Sequence, residues 1–207
     1  LLFFLACDDD TQNNANNTNN VNNGNNTNNL NNTNATNNAN NTNNVNNTQV
    51  VDTPANVNKS AEDAMIKHFP GRTVEQGDFG DDEGYYAKDA NGTVVGVGFV
   101  ATHMGFNGNI TTMTCVTSTG ETLGVETITQ FESWWYMMGE RFFLQFSGIL
   151  FDDVTLLPGY NQSCTPACGE IYDAIGNVDA VSGATWTSDA VVKNVMDTYL
   201  LYDTITF

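Results

Sequence analysis

The sequence predicts an α+β domain, an antiparallel sheet built from hairpins with flanking helices, preceded by a disordered polar tether. Three observations carry this. Two pairs of strand-like runs, each joined by a short turn, imply antiparallel pairing. A capped helical stripe comes before them, and a second apolar stripe of period 3.6 closes the chain. Of 207 residues 24 are acidic and 6 are Lys or Arg, a formal charge of −18, which repels nucleic acid and anionic bilayers alike. A solvated acidic surface of an exported protein accounts for the same charge without any partner.

The chain does not begin with methionine and reads as starting inside a longer sequence. Leu1-Leu2-Phe3-Phe4-Leu5-Ala6-Cys7 is the end of an apolar segment running into a cysteine. Residues 4–7 resemble the lipobox of bacterial lipoproteins, with Phe4 where leucine is usual, and the resemblance implies lipidation at Cys7 and a membrane anchor. The alternatives are a buried strand or the tail of a membrane helix. Residues 1–7 are therefore set apart from the fold as the end of a signal segment. Asp8-Asp9-Asp10 and the polar tract that follows could not cover a buried strand.

Between Gln12 and Thr48 the chain repeats x-Asn-Asn with nearly strict period three. Asparagine without charge or apolar bulk cannot offset the entropy of ordering, so residues 8–57 read as a disordered Asn-rich linker. A solenoid would need longer units with apolar corners. About 40 residues of coil span about 35 Å root-mean-square.

A domain over residues 58–207 follows. Ser60-Ala61-Glu62-Asp63 opens a helix with a capping-box pattern; Ala61, Met65 and Phe69 give it a stripe and Pro70-Gly71 ends it. His68 has no second ligand at metal spacing and reads as surface or packing. Tyr85–Lys88 and Thr93–Val100 flank Asp89-Ala90-Asn91-Gly92 as a hairpin, with Gly96 and Gly98 marking a bulge or a close backbone approach. Ile110–Thr117 and Thr122–Gln130 form the second hairpin. Trp134, Trp135 and Tyr136 suit either a core or an aromatic wall for a ligand. Phe142, Phe143 and Phe146 sit in a short helical run suited to the core. Cys164 and Cys168, close neighbours in a turn-rich loop, suggest a disulfide in an exported protein, because a metal pair would need ligands that neither His103 nor Cys115 supplies at metal spacing. Cys115 falls in a strand pattern as a buried thiol.

In Asp189–Tyr202 the residues Val192, Val195, Met196 and Tyr199 recur at helical spacing, which makes Thr187 or Ser188 the expected N-cap. Just ahead lies Asp179-Ala180-Val181-Ser182-Gly183-Ala184-Thr185-Trp186-Thr187-Ser188, rich in hydroxyls and without metal ligands or acid–base pairs. A helix start gathers unpaired N–H groups and partial positive charge, which is where phosphate is held. Ordinary capping and turn chemistry would use the same residue types.

The segment Asp179-x-x-Ser182-Gly183-Ala184-Thr185-x-Thr187-Ser188 resembles the flavinylation motif of the FMN-binding domain family. That domain is found in the G subunit of the Rnf electron-transport complex and the C subunit of the sodium-pumping NADH:quinone reductase. Gly105, Phe106 and Gly108 match the family's Gly-aromatic-x-Gly turn, and Phe143–Gly148 resembles its next segment. Where the family shows His-x-Glu-Thr-Pro-Gly, this chain reads Gln130-Phe131-Glu132-Ser133-Trp134-Trp135, so Glu132 matches while two tryptophans replace Pro-Gly. The resemblance implies FMN esterified through its phosphate to Thr185 by a flavin transferase that uses FAD. It further implies Ser182, Gly183, Ala184, Thr187 and Ser188 around the phosphate and ribityl chain, Glu132 and Trp134 near the ring, and Asp179 as a motif member of open role. The leading expectation is an exported lipoprotein carrying electrons between membrane or cell-surface redox proteins. A subunit of a Rnf-like or sodium-pumping complex, and a surface binding module keeping the fold without flavin, are the alternatives.

Overall fold

The computed structural model describes residues 60–166 and 168–207; the lipobox-like Cys7 and the Asn-rich linker lie outside the described residues. A five-stranded antiparallel sheet in the order β1-β2-β3-β4-β5 forms the middle layer. The strands are Thr73–Gln76 (β1), Gly84–Lys88 (β2), Val94–Met104 (β3), Asn109–Thr117 (β4) and Thr122–Gln130 (β5). Every neighbour in the sheet is a neighbour in sequence, which is what consecutive hairpins produce.

Helix α1, Ala61–His68, covers one face. The Asp63 N–H donates to the Ser60 hydroxyl at 3.0 Å, as the capping-box pattern requires, and Gly71 leaves the helix at φ +73°. Its Ala61, Ala64, Met65 and Phe69 pack on Ala87, Met113 and Cys115. His68 lies over β5, its Nε2 3.0 Å from the carboxylate of buried Glu126, which also takes the Lys67 ammonium. Burial raises the Cys115 thiol far above its ordinary value, with Glu126 adding to the shift.

The long helix α4, Thr185–Tyr202, lies across β3 and β4 on the other face. Val191, Val192, Val195, Met196 and Tyr199 are fully buried there against Val97, Phe99, Ile110 and Val116. Each such side chain contributes about 1.5–3 kcal/mol of gross hydrophobic free energy. Two phenols fix the helix along its axis: Tyr199 meets Thr122 Oγ1 at 2.7 Å and Tyr202 donates to the Thr117 carbonyl at 3.0 Å. Burial pushes the Tyr199 phenol up to about 12. With Met113 and Cys115 facing α1 and Ile110 and Val116 facing α4, β4 is buried on both sides.

Gly96 and Gly98 serve the close approach, and a bulge accompanies it. The pairing shifts register between Ala87 and Lys88, whose partners are Gly96 and Val94. A Cβ on Gly96 would stand 2.3 Å from the Phe69 ring and 2.8 Å from the Val116 carbonyl. The backbone oxygen cannot move, so Phe69 would have to. Gly96→Ala is expected to destabilise the domain by about 2 kcal/mol, read as a lower urea midpoint with an unchanged m-value.

Three elements depart from the sequence reading. α4 begins at Thr185 with Ala184 as its N-cap, not at Asp189 with Thr187 or Ser188. The edge strand β1 and a short helix α3, Gly169–Ala174, add to the expected elements. A further short helix, α2 (Glu140–Leu144), carries Phe142 and Phe143 into the core, with Phe146 just beyond it.

Candidate functional site

Three segments meet at the start of α4: the turn joining β3 to β4, the loop after β5, and the loop leading into the helix. The first is shaped by glycine. The Gly105 N–H donates to the Gly108 carbonyl at 2.8 Å, and a Cβ on Gly105 would lie 2.5 Å from Glu132 Oε1. That oxygen accepts from the N–H groups of Asn107 at 2.8 Å and Gly108 at 3.1 Å. The other carboxylate oxygen, Oε2, accepts from the Thr187 hydroxyl at 3.1 Å. Glu132 is buried, so one carboxylate brackets the turn, its own loop and the first turn of α4 together.

The loop into α4 turns at Val181–Ala184, where the Ala184 N–H donates to the Val181 carbonyl at 2.9 Å and Gly183 adopts φ +82°. A side chain at Gly183 would be strained by that φ and would meet Met137 Cε at 2.7 Å. The Gln145 side-chain amide clamps the front of this loop from both sides: its Oε1 accepts from the Asp179 N–H at 2.8 Å and its Nε2 donates to the Asp179 carbonyl at 3.2 Å.

At the helix start the N-cap Ala184 offers no side-chain acceptor. The N–H groups of Thr185, Trp186 and Thr187, and the Thr185 hydroxyl, have no hydrogen-bond partner among the described residues. No acidic residue occupies the first turn to compete for them. They border an open cleft of about 250 Å³ lined by Phe106, Trp134, Gly183, Ala184, Thr185, Trp186 and Thr187. Phe106 meets Trp186 edge-on, with centroids 5.9 Å apart. Orphan donors at a helix start suit a phosphate, and half-exposed aromatic faces suit a planar ring system. The residues present therefore fit a phosphorylated, ring-bearing group.

The cleft does not gather every expected residue. Gly183, Ala184, Thr185, Thr187 and Trp134 line it. The hydroxyls of Thr187 and Ser188 are engaged within the fold. Thr187 donates to Glu132, while Ser188 Oγ accepts from the Val181 N–H at 3.0 Å and donates to the Ala184 carbonyl at 3.1 Å. Both are fully buried, so they shape the loop from within. Glu132 likewise lies outside the lining, as a bracket behind the cleft. Ser182 is exposed on the loop. Asp179 lies on a neighbouring open cleft of about 300 Å³ with Met137, Arg141, Gln145 and Val181. Trp134 and Trp135 divide their duties: Trp134 is 42% exposed at the cleft, whereas Trp135 is buried near Phe143.

Gln145, Met137 and Trp186 are the positions that sequence reasoning did not single out. The position of Gln145 within Phe143–Gly148, and of Trp186 beside Thr185, were the available signals.

Cys164 and Cys168 are joined in a disulfide whose loop rests on α4 away from the cleft. Lys193 Nζ donates to the carbonyls of Gln162 at 2.8 Å and Cys164 at 2.7 Å. Asp189 accepts from the Tyr172 hydroxyl at 3.0 Å and the Cys168 N–H at 3.3 Å. Burial lowers the Lys193 ammonium, with Asp189 opposing. His103, Tyr160 and Asp197 form a further hydrogen-bonded group, with His103 Nε2 2.7 Å from Asp197 and 3.1 Å from the Tyr160 hydroxyl. Burial and the neighbouring Asp197 carboxylate raise the Tyr160 phenol.

Comparison with protein-family models matches residues 105–199 to the FMN-binding domain, a span running from the Gly105 turn to Tyr199 in α4. No curated protein matches the chain.

Proposed function

Since residues 105–199 match the FMN-binding domain, we propose that this chain holds FMN as an ester of the Thr185 hydroxyl and works outside the cytoplasm as an electron carrier. The observation that carries the proposal is the setting of Thr185: first residue of α4, at the mouth of an aromatic cleft, with a hydroxyl and three neighbouring amides that have no partner among the described residues. The amides of Thr185, Trp186 and Thr187 would receive the phosphate oxygens. Trp134, Phe106 and Trp186 would offer faces to the ring.

Bound flavin supplies one- and two-electron transfer. The chain's own contribution is attachment, orientation and shielding. A flavin transferase would join the Thr185 oxygen to the flavin-bearing phosphorus of FAD, with AMP as the leaving group, the pyrophosphate P–O bond broken and the hydroxyl proton released. Gly183 lets the loop turn at φ +82° beside Met137, and the Gln145 clamp and Glu132 bracket fix Thr185 relative to the aromatic wall. A covalent link suits a protein working where free flavin is scarce. A lipid on Cys7 and the Asn-rich linker would tether the domain to the outer face of a bacterial membrane, within reach of redox partners.

Coexpression with a flavin transferase, followed by intact mass measurement and peptide mapping, tests this. The expected result is an FMN adduct on the peptide containing Thr185; an unmodified peptide under those conditions overturns the reading.

A further inference from the structure

Beyond attachment, the cleft's surroundings bear on what the protein meets. Among the described residues six aromatic side chains are exposed: Phe106, Phe131, Trp134, Tyr136, Trp186 and Phe207. All but Phe207 belong to the three segments that surround Thr185. Phe106, Trp134 and Trp186 line the cleft and have work to do with a ring. Phe131 and Tyr136 do not line it. They are 74% and 65% exposed, with Phe131 rising from its contact with Gly108 and Tyr136 beside Trp134 at 5.9 Å between centroids. Such a cluster of aromatics on an exposed surface favours association, and Trp and Tyr are the residues on which interface energy concentrates.

The charge pattern selects the occupant. Residues 104–137 and 177–192, which contain all three segments, carry no Lys or Arg, while the whole chain has a formal charge of −18. An approaching molecule therefore meets an aromatic patch on segments without Lys or Arg, inside an acidic field. That field attracts a basic protein, and it repels an acidic protein or an anionic bilayer.

We propose that Phe131 and Tyr136, together with the outer edges of Trp134 and Phe106, form the docking face for a basic redox protein whose own cofactor edge reaches its surface. This rests on the flavin reading, since the face is useful because it frames Thr185. Contact there brings the partner's cofactor edge to the cleft, while the acidic surround raises the encounter rate without adding a tight, slow-releasing bond.

The test uses the full chain made with a flavin transferase, and cytochrome c, a basic haem protein, as probe, with affinity measured by calorimetry. The F131S/Y136S double variant is expected to bind about tenfold more weakly, with flavin content and urea midpoint unchanged. An I66S/L144S variant, altered at exposed apolar side chains elsewhere, is expected to bind as the unmodified chain does. Raising salt from about 20 to about 200 mM is expected to weaken binding about tenfold. Affinity of F131S/Y136S within twofold of the unmodified chain, or equal affinity for an acidic ferredoxin, overturns the docking face. So does cosedimentation with phosphatidylcholine vesicles that depends on Phe131 and Tyr136, which would make a membrane the occupant. Flavin is scored on the same samples by in-gel fluorescence. A dark band from the unmodified chain overturns the flavin reading whatever the cytochrome result, whereas a fluorescent band with unchanged variant affinity overturns the docking face alone.

Discussion

A Thr185→Val chain produced beside a flavin transferase is expected to run as a dark band under ultraviolet light, where the unmodified chain is expected to fluoresce after denaturation. Valine keeps the branched shape of threonine and removes the oxygen proposed to form the ester. Thr185 is half-buried at the first position of α4, and its hydroxyl holds no hydrogen bond among the described residues, so nothing inside the fold is lost with it. Stability is expected to stay within about 0.5 kcal/mol of the unmodified chain. Unchanged urea midpoint with complete loss of covalent flavin would separate the chemistry from the folding. Thr185→Ser keeps the oxygen and loses the methyl group that restricts χ1, so the hydroxyl samples more rotamers and loading is expected to slow without being abolished. A Thr185→Val band that still fluoresces would move the attachment elsewhere on the chain.

The sheet was legible because its signals are local. Asp89–Gly92 and Ser118–Glu121 announce turns, and the runs beside them carry apolar residues that pair as antiparallel strands. The helix α1 was legible for the same reason, with cap, stripe and stop all within twelve residues of Ser60. β1 was not, because Thr73-Val74-Glu75-Gln76 offers one apolar side chain and acquires its strand geometry from pairing with β2.

The start of α4 was misplaced for a physical reason that bears on function. Thr187 and Ser188 have the chemistry of N-caps, yet tertiary partners engage both: Glu132 comes from a loop more than fifty residues earlier, and Val181 from the turn in front. With those hydroxyls turned inward, the helix extends forward to Thr185 and its first amides are left for something outside the fold. The family resemblance located Thr185, but only the packing separates Trp134 at the cleft from Trp135 in the core. Nor could spacing reveal that Glu132 stands behind the cleft, because its hydrogen bonds run to two segments distant in sequence.

That bracket leads to the second large effect, a wide split between Glu132→Ala and Glu132→Gln. Alanine strands the amides of Asn107 and Gly108 and the hydroxyl of Thr187 at a site where Glu132 itself is only 7% exposed. Each buried group left unsatisfied costs about 1–3 kcal/mol, and some water will enter the space, so a loss of about 3 kcal/mol is expected from the urea midpoint. Glutamine can keep its carbonyl oxygen on the two amides and turn its –NH₂ toward the Thr187 oxygen, reversing that hydrogen bond while preserving the connection. Losing charge assistance alone should cost about 1 kcal/mol. Flavin loading is expected to follow the same order, near normal in Glu132→Gln and strongly reduced in Glu132→Ala, because the turn and the helix start no longer hold a common geometry around Thr185. Equal urea midpoints in the two variants would show that the three hydrogen bonds do not act as a bracket. A folded, fully loaded Glu132→Ala chain would show that Thr185 is positioned without it.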